Sequence, residues 1–378
     1  MPKINLAVVF GSRSVEHEVS IITGLQVIQN ADPEKYHIIP IYIDKEGRWH
    51  TGPALLDIKN YQNLSQLLSH IPEIHLKNQE IQTSLLKKTK IDVVFPTIHG
   101  TFGEDGTLQG LLEMAQIPYV GSAVTGSAIG MDKIMQKDVL KNNGLPIVPY
   151  VWFTRDNIPQ NIKLKFPVFV KPANLGSSIA ISRANNNSEL EEAINLATFY
   201  DRRIIVEQCL DDIFEINCSV MGYKDLEVSI CEQPIKSSDL LSYKDKYLTG
   251  GKGKGLPAGR QGMASLSRLI PAPISPSLTK KIQATAKEVF RVLDTAGLAR
   301  IDFLVDKKTE KIYVCEINTL PGSMAFYLWE KSGYTFPSLI DKLVELALQR
   351  FADRQQTTYS ISTNLLSSSP LPSPKLKS

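Results

Sequence analysis

Short apolar runs alternate with polar, helix-like segments over the first third of the chain. Residues 4–10 (INLAVVF) form a continuous apolar run, and residues 38–43 and 91–96 repeat it. Turn residues follow each run, and residues 107–115 have helical spacing. This rhythm is typical of a parallel sheet covered by helices. We therefore predict an N-terminal, Rossmann-like α/β domain over residues 1–122, with an irregular, partly helical excursion at residues 52–90.

Two further units follow, over residues 123–208 and 209–352. An amphipathic helix at residues 131–143, ended by Gly144, opens the first of them, and Ser188 with Glu191 predicts a capping box for its second helix. Ser275-Pro276 predicts a helix start in the last unit. Residues 353–378, rich in Ser, Thr and Pro, are predicted to be a disordered tail. The predicted strands lie at residues 166–170, 179–181, 204–206, 216–221, 226–231, 300–305 and 312–317.

Composition narrows the class of protein. The chain has 378 residues and a formal net charge of +3 with both signs interspersed, which is not the pattern of a nucleic-acid-binding protein. No apolar run approaches the roughly 20 residues of a membrane helix, and the N-terminus lacks a signal-peptide pattern. The four cysteines show no CxxC spacing and are expected to be reduced. We expect a cytoplasmic protein with no nucleic-acid or membrane partner.

Polar residues interrupt two predicted strands of the last unit. Arg300 and Asp302 lie on one strand, and Glu316 and Asn318 lie on the next. Because residues two apart share a strand face, pairing of these strands would bring Asp302, Glu316 and Asn318 together. Such oxygen ligands suit Mg²⁺ shared with substrate phosphates, and Arg300 could neutralise charge on a transferring phosphoryl group. Charges on half-exposed strands are the alternative, but an unpaired Glu316 would be costly in its apolar run.

A glycine-containing loop, residues 171–178 (KPANLGSS), joins two predicted strands. Its backbone N–H groups can bind phosphate oxygens and close over a nucleotide. Lys171 and the upstream Lys133 would add positive charge. The loop is a weak signal by itself, and it gains weight from the carboxylate pair downstream.

A second nucleotide element follows at residues 207–210 (EQCL), where an apolar strand ends shortly before Glu215. A strand–turn–strand can offer backbone groups to an adenine edge, and Glu215 can accept hydrogen bonds from ribose hydroxyls. Ordinary hinge residues would produce the same spacing, so both interpretations stay open.

These segments, in this order, resemble the ATP-grasp ligases, and within them the D-alanine–D-alanine ligase family. The resemblance covers nearly all of residues 3–350. It implies an α/β ATP-grasp fold, a homodimeric assembly, and ATP-dependent joining of two D-alanines through an acyl phosphate for peptidoglycan synthesis. Further matching segments are residues 15–20 (VEHEVS), 99–110 (HGTFGEDGTLQG), 131–133 (MDK), 243–247 (YKDKY) and 318–322 (NTLPG).

The resemblance also implies a role for each matching residue. Asp302, Glu316 and Asn318 would bind two Mg²⁺ or Mn²⁺ ions. Glu16 would hold the ammonium of the first D-alanine, with His99 close to that substrate. Ser177 and Tyr247 would order the site, and Lys246, Arg300 and the Gly322 N–H would support the acyl phosphate and the tetrahedral intermediate. ATP would contact Lys133, Lys171, Ser178, Glu207, Gln208, Leu210 and Glu215.

Two features depart from the family pattern. Tyr327 occupies the position of a small hydroxyl residue that receives the second substrate's carboxylate, although a phenol can still donate a hydrogen bond. Residues 249–262 form a longer, glycine-rich segment than expected, either an extended lid or an inserted sequence. D-Lactate or D-serine as second substrate, and a non-catalytic nucleotide-binding module, are the alternatives; Tyr247 favours the dipeptide.

Overall fold

The computed structural model describes residues 2–77, 79–82, 88–176, 179–235 and 268–363. Several predicted features lie outside these ranges: Ser177, Ser178, Lys246, Tyr247, the segment 249–262, and residues 364–378 of the predicted tail. The remaining predicted site residues are all described. The long helices of the described ranges are too polar to cross a membrane.

The N-terminal part is built on a four-stranded sheet with the strand order β3-β2-β1-β7. β1 pairs in parallel with β2 and β7, as predicted, whereas the short edge strand β3 is antiparallel to β2. Residues 6–10 of β1 are fully buried, which explains their continuous apolar run. In chain order the elements are β1 (Ile4–Gly11), α1 (His17–Asn30), β2 (Tyr36–Ile43), β3 (Trp49–Thr51), α2 (Leu64–His70), β4 (His75–Lys77), β5 (Glu80–Gln82), β6 (Lys88–Lys90), β7 (Val93–Pro96) and α3 (Thr107–Met114).

The excursion at residues 52–90 is more regular than predicted. Two 3-10 helices, Pro53–Leu56 and Ile58–Gln62, and α2 account for its helical part. The strands β4, β5 and β6 then form a small antiparallel sheet of their own. Each of these strands has only three residues, too few for an alternating pattern to be recognised.

The central part contains a four-stranded antiparallel sheet with the order β10-β9-β11-β8. It is preceded by two helices separated at Asp132, whose side chain caps the second helix. That helix ends before Gly144, which has the left-handed backbone predicted for it (φ +71°). The elements are α4 (Val124–Met131), α5 (Lys133–Asn142), β8 (Tyr150–Thr154), β9 (Val168–Pro172), β10 (Ser182–Ala184), α6 (Asn187–Tyr200) and β11 (Arg203–Gln208).

Two sequence predictions in this part are wrong by a few residues. The strand predicted at residues 179–181 lies instead at Ser182–Ala184, after a turn. The capping box predicted at Ser188 lies two residues earlier. There the Asn186 side chain accepts from the Glu189 N–H at 3.0 Å and donates to its carboxylate at 2.7 Å. Asparagine caps helices as well as serine does, so the sequence offered two overlapping caps.

The C-terminal part is a five-stranded antiparallel sheet with the order β14-β13-β12-β15-β16. Ser275 caps α7 as predicted, accepting from Leu278 N at 3.1 Å. The last helix, α9, runs to Arg354 and packs its apolar face into the core shared with β1. The elements are β12 (Ile213–Gly222), β13 (Leu226–Pro234), β14 (Arg268–Leu269), α7 (Pro276–Val292), β15 (Gly297–Asp306), β16 (Ile312–Asn318), α8 (Phe326–Glu330) and α9 (Phe336–Arg354).

Candidate active site

A cleft of about 710 Å³, counting its open mouth, lies where the three parts of the fold meet. Its lining is mainly polar and draws on α1, α5, β15 and β16. Predicted residues from all three parts are among those that line it: Glu16, His99, Lys133, Arg300, Glu316, Asn318 and Gly322. Their positions in the sequence are up to three hundred residues apart, so the fold assembles this site rather than any local segment.

The two strands predicted to carry metal ligands are neighbours. β15 pairs with β16 so that Asp302 lies opposite Glu316, and Arg300 lies opposite Asn318. The register shifts directly after Asp302, which is the mark of a bulge. Bulges re-aim side chains and occur next to active sites. The pairing of the two strands therefore brings Asp302, Glu316 and Asn318 to neighbouring positions of the backbone, as the two-residue alternation of strand side chains predicted.

Asp302 and Arg300 form a bidentate ion pair. The Arg300 Nε and Nη2 atoms each donate to a different oxygen of Asp302 at 2.7 Å, and Asn318 Nδ2 donates to the same carboxylate at 3.2 Å. Burial raises the pKa of Asp302, Arg300 lowers it, and Glu316 raises it again, with a net upward shift. Two half-buried carboxylates of like charge thus have one guanidinium close by.

The donor set of this strand pair fits a hard divalent cation. Asp302, Glu316 and the amide oxygen of Asn318 would supply oxygen ligands, which Mg²⁺ prefers. Carboxylate oxygens carry more than one lone pair, so Asp302 could bind a cation while still accepting from Arg300. Across the described ranges no cluster of three or more His, Cys, Asp and Glu residues offers a metal site of another kind.

Glu16 lies at the start of α1 with its carboxylate enclosed by two glycines. A Cβ atom built on Gly100 would lie 2.7 Å from Glu16 Oε2, and one built on Gly176 would lie 2.8 Å from it. No other residue type fits such an approach without displacing the carboxylate. The Ser14 hydroxyl accepts from the Glu16 N–H at 3.1 Å and donates to His99 O at 2.7 Å, which ties this helix start to the next loop.

His99 connects α1 and the segment after β16 to its own loop at the cleft. Its Nδ1 donates to Leu320 O at 2.9 Å, and its Nε2 lies 2.8 Å from Thr23 Oγ1. The Glu104 carboxylate is 3.5 Å from Nδ1 and accepts from the Gly100 N–H. Burial lowers the pKa of His99, but Glu104, Glu16 and the Leu320 carbonyl together raise that pKa overall. His99 therefore orients the segment after β16 as well as lining the cleft.

The segment after β16 has a strained backbone. Gly322–Ala325 forms a 3-10 turn in which Ser323, Met324 and Ala325 all have positive φ, between 45° and 54°. Non-glycine residues in this region cost on the order of 1–3 kcal/mol each. Burial holds them, since the three side chains are at most 2% exposed. Strain of this kind concentrates at functional sites, and here the strained residues directly follow Gly322, which lines the cleft.

The predicted nucleotide residues form a buried ionic cluster beside the cleft. Lys171 Nζ donates to Glu207 Oε2 at 2.8 Å, and Lys137 Nζ lies 3.4 Å from Glu207 Oε1. Burial raises the pKa of Glu207, but the two lysines lower it to about 2. Lys133, at the start of α5, donates to Leu175 O at 2.7 Å.

The hinge between β11 and β12 contains the other predicted nucleotide residues. The Gln208 N–H donates to Pro149 O at 3.0 Å, so that donor is engaged within the protein. Glu215 lies on β12 opposite Leu304, and its charge contributes to raising the pKa of Asp302. Gln208, Leu210 and Glu215 are not among the residues that line the cleft.

Tyr327 is buried in a network of its own. Its hydroxyl donates to Glu232 Oε1 at 2.9 Å, and Asn217 Nδ2 donates to the same oxygen at 3.1 Å. Arg268 donates to the other oxygen at 3.0 Å, with its guanidinium 3.8 Å from the Tyr327 ring centroid. The only proton of the phenol is therefore given to Glu232, which leaves none for a substrate carboxylate.

Family models match most of the chain. Residues 5–122 match the model described as D-ala D-ala ligase N-terminus, and residues 139–345 match D-ala D-ala ligase C-terminus. The chain belongs to the D-alanine–D-alanine ligase family. Both halves of the family pattern are present, and the cleft described above lies where they meet.

Individual relatives agree with the family assignment. The chain is 42% identical over 372 residues to the D-alanine–D-alanine ligase of Thermosipho africanus, covering 96% of this chain and 98% of the relative. Its structure is similar to that of the Coxiella burnetii D-alanine–D-alanine ligase (TM-score 0.80, 30% identity, 94% and 97% coverage). It is also similar to the VanG D-Ala:D-Ser ligase of Enterococcus faecalis (TM-score 0.77, 29% identity, 92% and 100% coverage).

Sequence reasoning missed four residues that contribute to this site. Glu104 lies within the 99–110 segment that carried the resemblance, but its partnership with His99 depends on a loop turning back on itself. Gly100 and Gly176 were not recognised as the walls around Glu16. Lys137 follows Lys133 by four residues, so helical spacing could have indicated that both face the same side.

Proposed function

We propose that the chain joins two D-alanines into D-alanyl-D-alanine with consumption of ATP, for peptidoglycan precursor synthesis. The observation that supports this most is the meeting of two elements in one cleft. The Asp302–Glu316 strand pair suits a nucleotide-bound cation, and Glu16 suits an amino-acid ammonium. A nucleotide-binding module without activity would need only the first of these.

The chemistry explains why both elements are needed. A carboxylate is a poor electrophile, so a carboxylate oxygen of the first D-alanine attacks the γ-phosphorus of ATP and ADP leaves. The amine of the second D-alanine then attacks the acyl phosphate, giving a tetrahedral intermediate that expels phosphate. Both steps build negative charge on oxygen. Preorganised donors such as Arg300 and the Gly322 N–H can stabilise that charge.

Each residue has a proposed part in these steps. Glu16 would bind the ammonium of the first D-alanine, with His99 holding the Leu320 carbonyl and the loop around it. Lys133, Lys171 and Glu207 would bind ATP, together with the hinge residues Gln208, Leu210 and Glu215. Ser177, Ser178, Lys246 and Tyr247 lie outside the described ranges, and their roles stay predictions.

Mg²⁺ or Mn²⁺ would be held by Asp302, Glu316 and Asn318. When bound, such a cation neutralises phosphate charge and makes the terminal phosphorus more electrophilic. Arg300 would remain on Asp302, where it orients that carboxylate and contributes positive charge near the reacting oxygens.

The second substrate is the least constrained part of the proposal. The Tyr327 proton is given to Glu232, so this residue would shape the second pocket through its ring and the stacked Arg268. An amine acceptor is required for a peptide product, and a hydroxyl acceptor would give a depsipeptide. D-Serine, the substrate named for the VanG relative, is the alternative that keeps an amine.

We further propose a homodimer working in the cytoplasm, where ATP is available. The cysteines form no disulfide anywhere in the described ranges, which agrees with a reducing compartment.

Phosphate release and product mass test the function together. The purified chain is incubated with ATP and Mg²⁺, and with D-alanine alone, D-alanine plus D-lactate, or D-alanine plus D-serine. We expect phosphate release with D-alanine alone and a product of the mass of D-alanyl-D-alanine in every mixture. If no mixture shows D-alanine-dependent phosphate release, the proposed ligase activity is refuted. If mixed products predominate, D-lactate or D-serine is the second substrate in place of D-alanine.

A further inference from the structure

A buried lysine with unfilled donors lies beside the proposed ATP site. The Lys137 side chain is 1% exposed, although lysine is one of the residues least often buried. Among the described residues its Nζ atom hydrogen-bonds to nothing, and neither does Glu207 Oε1, which it faces at 3.4 Å. A buried ammonium has three donors, and leaving them unfilled is costly. The sequence motifs assigned this residue no role.

The surroundings of Lys137 contain charges of both signs. Glu207 is one carboxylate shared by two lysines, since Lys171 donates to its other oxygen at 2.8 Å. The next side chain, Asp138, is engaged by the Tyr150 hydroxyl. Among the described residues, Glu207 is the carboxylate with which Lys137 forms an ion pair, so the charge of Lys137 acts on that side chain.

Helix geometry relates Lys137 to the cleft. Lys133 and Lys137 are four residues apart on α5, so they lie one above the other on the same helix face. Lys133 lines the cleft, and Lys137 lies one turn deeper, over the Tyr150 ring at 5.9 Å. Lys171 and Glu207 approach from the facing sheet, on the neighbouring strands β9 and β11.

We propose that Lys137 is a nucleotide-positioning residue that fixes the Glu207 carboxylate, and with it Lys171, for binding of ATP. This inference rests on the proposed ATP site. Lys171 alone holds one oxygen of Glu207, and the carboxylate could still rotate about the Cγ–Cδ bond of Glu207. Lys137 on the second oxygen fixes the plane of the carboxylate. A fixed carboxylate presents both Glu207 and Lys171 to the nucleotide in one orientation, which lowers the entropy lost on binding.

A purely structural role for Lys137 makes a different prediction. A lysine that only fills space or stabilises the fold would affect the thermal midpoint and leave nucleotide affinity unchanged. Lys137→Met tests the positioning role, because it replaces the charged side chain with an apolar one of similar length. Removing one partner of a buried ion pair is destabilising when it leaves the other charge uncompensated. Here Lys171 still donates to Glu207 in the variant, so that carboxylate keeps one cationic partner.

The experiment measures nucleotide binding directly. Dissociation constants for a non-hydrolysable ATP analogue with Mg²⁺ are determined by calorimetry on the full chain. Thermal midpoints and the KM values for ATP and D-alanine are recorded alongside. The variants are Lys137→Met, Lys137→Arg, Glu207→Gln and the Lys137→Met/Glu207→Gln double variant. Lys141→Met is the matched control, because Lys141 lies on the next turn of α5 and is exposed.

We expect Lys137→Met to weaken analogue binding roughly ten- to a hundredfold, because the buried ion pair that fixes the Glu207 carboxylate is lost. D-Alanine KM should stay within about twofold, Lys137→Arg should recover part of the affinity, and Lys141→Met should match the parent chain. The double variant should bind no more weakly than Glu207→Gln alone, because Lys137 acts through Glu207.

The failures of the two proposals are distinguishable. Glu207→Gln with the affinity of the parent chain would refute the proposed ATP site itself. Weakened binding by Glu207→Gln together with unchanged binding by Lys137→Met would overturn the role of Lys137 only. If Lys137→Met does not fold, Lys137→Gln takes its place, because it also removes the charge. Unchanged affinity of a folded Lys137→Gln variant, or losses that add up in a Lys137→Gln/Glu207→Gln pair, would overturn the role of Lys137 equally.

Discussion

Replacing Gly176 by alanine tests whether the Glu16 carboxylate binds substrate. The added Cβ would lie 2.8 Å from Glu16 Oε2, whereas ordinary contact begins at 3.4 Å. The carboxylate oxygen must therefore move by about 0.6 Å, the difference between these distances. Gly100 approaches the same oxygen with a Cβ position at 2.7 Å, which narrows the directions in which the oxygen can move.

The change should affect activity more than stability. The atom that must move is the end of a flexible side chain, and Gly176 is not among the glycines with positive φ. We expect the free energy of unfolding to change by less than about 1 kcal/mol. A misplacement of 1 Å in a positioning group can reduce rates about a hundredfold. For 0.6 Å we expect kcat/KM for the first D-alanine to fall about tenfold, or about 1.4 kcal/mol.

The assay is steady-state phosphate release as a function of D-alanine and of ATP, with thermal unfolding of the same samples. Gly110→Ala is the control, because Gly110 lies within α3 and its Cβ would meet no atom within 4 Å. That variant should keep the parent kinetics. An unchanged kcat/KM for D-alanine in a folded Gly176→Ala variant would refute the assignment of Glu16, and so would a loss confined to ATP.

Two further substitutions probe the rest of the cleft. Glu316→Gln should reduce Mg²⁺-dependent ADP formation by at least about a hundredfold while the protein stays folded, because a carboxylate ligand is lost; turnover close to that of the parent chain would remove Glu316 from the metal site. Tyr327→Phe removes a donor to buried Glu232, so we expect the free energy of unfolding to fall by about 1–2 kcal/mol and the KM for the second D-alanine to rise. Tyr334→Phe is the control, because the Tyr334 hydroxyl donates to the exposed Glu227, and it should lower the free energy of unfolding by less. A Tyr327→Phe variant in which only the affinity for ATP changes would contradict a role of Tyr327 in the pocket for the second substrate.

Local patterns predicted the two strands β15 and β16, for a physical reason. The alternation Arg300–Asp302 and Glu316–Asn318 follows from the period of two in a strand, and short antiparallel neighbours usually pair. The observed register places Asp302 opposite Glu316. The pattern could not predict the bidentate contact of Arg300 with Asp302, because that contact depends on side-chain rotamers and burial.

Contacts between distant parts were beyond local patterns. The approach of Gly176 to Glu16 joins residues from the first and second parts, and it exists only once the parts have docked. Spacing likewise could not show that Tyr327, on α8, gives its proton to Glu232 on the strand β13. The helix cap at Asn186 was missed for a smaller reason, since two capping residues of similar strength lie two positions apart.

The path of one oxygen atom tests the central claim most directly. The chain is supplied with ATP, Mg²⁺ and D-alanine labelled with ¹⁸O in its carboxylate, and the released phosphate is analysed by mass spectrometry. If an acyl phosphate forms from the first D-alanine, one ¹⁸O atom should appear in phosphate for each D-alanyl-D-alanine made. Unlabelled phosphate, released at the same rate as ADP, would mean that water attacks ATP and would contradict the account.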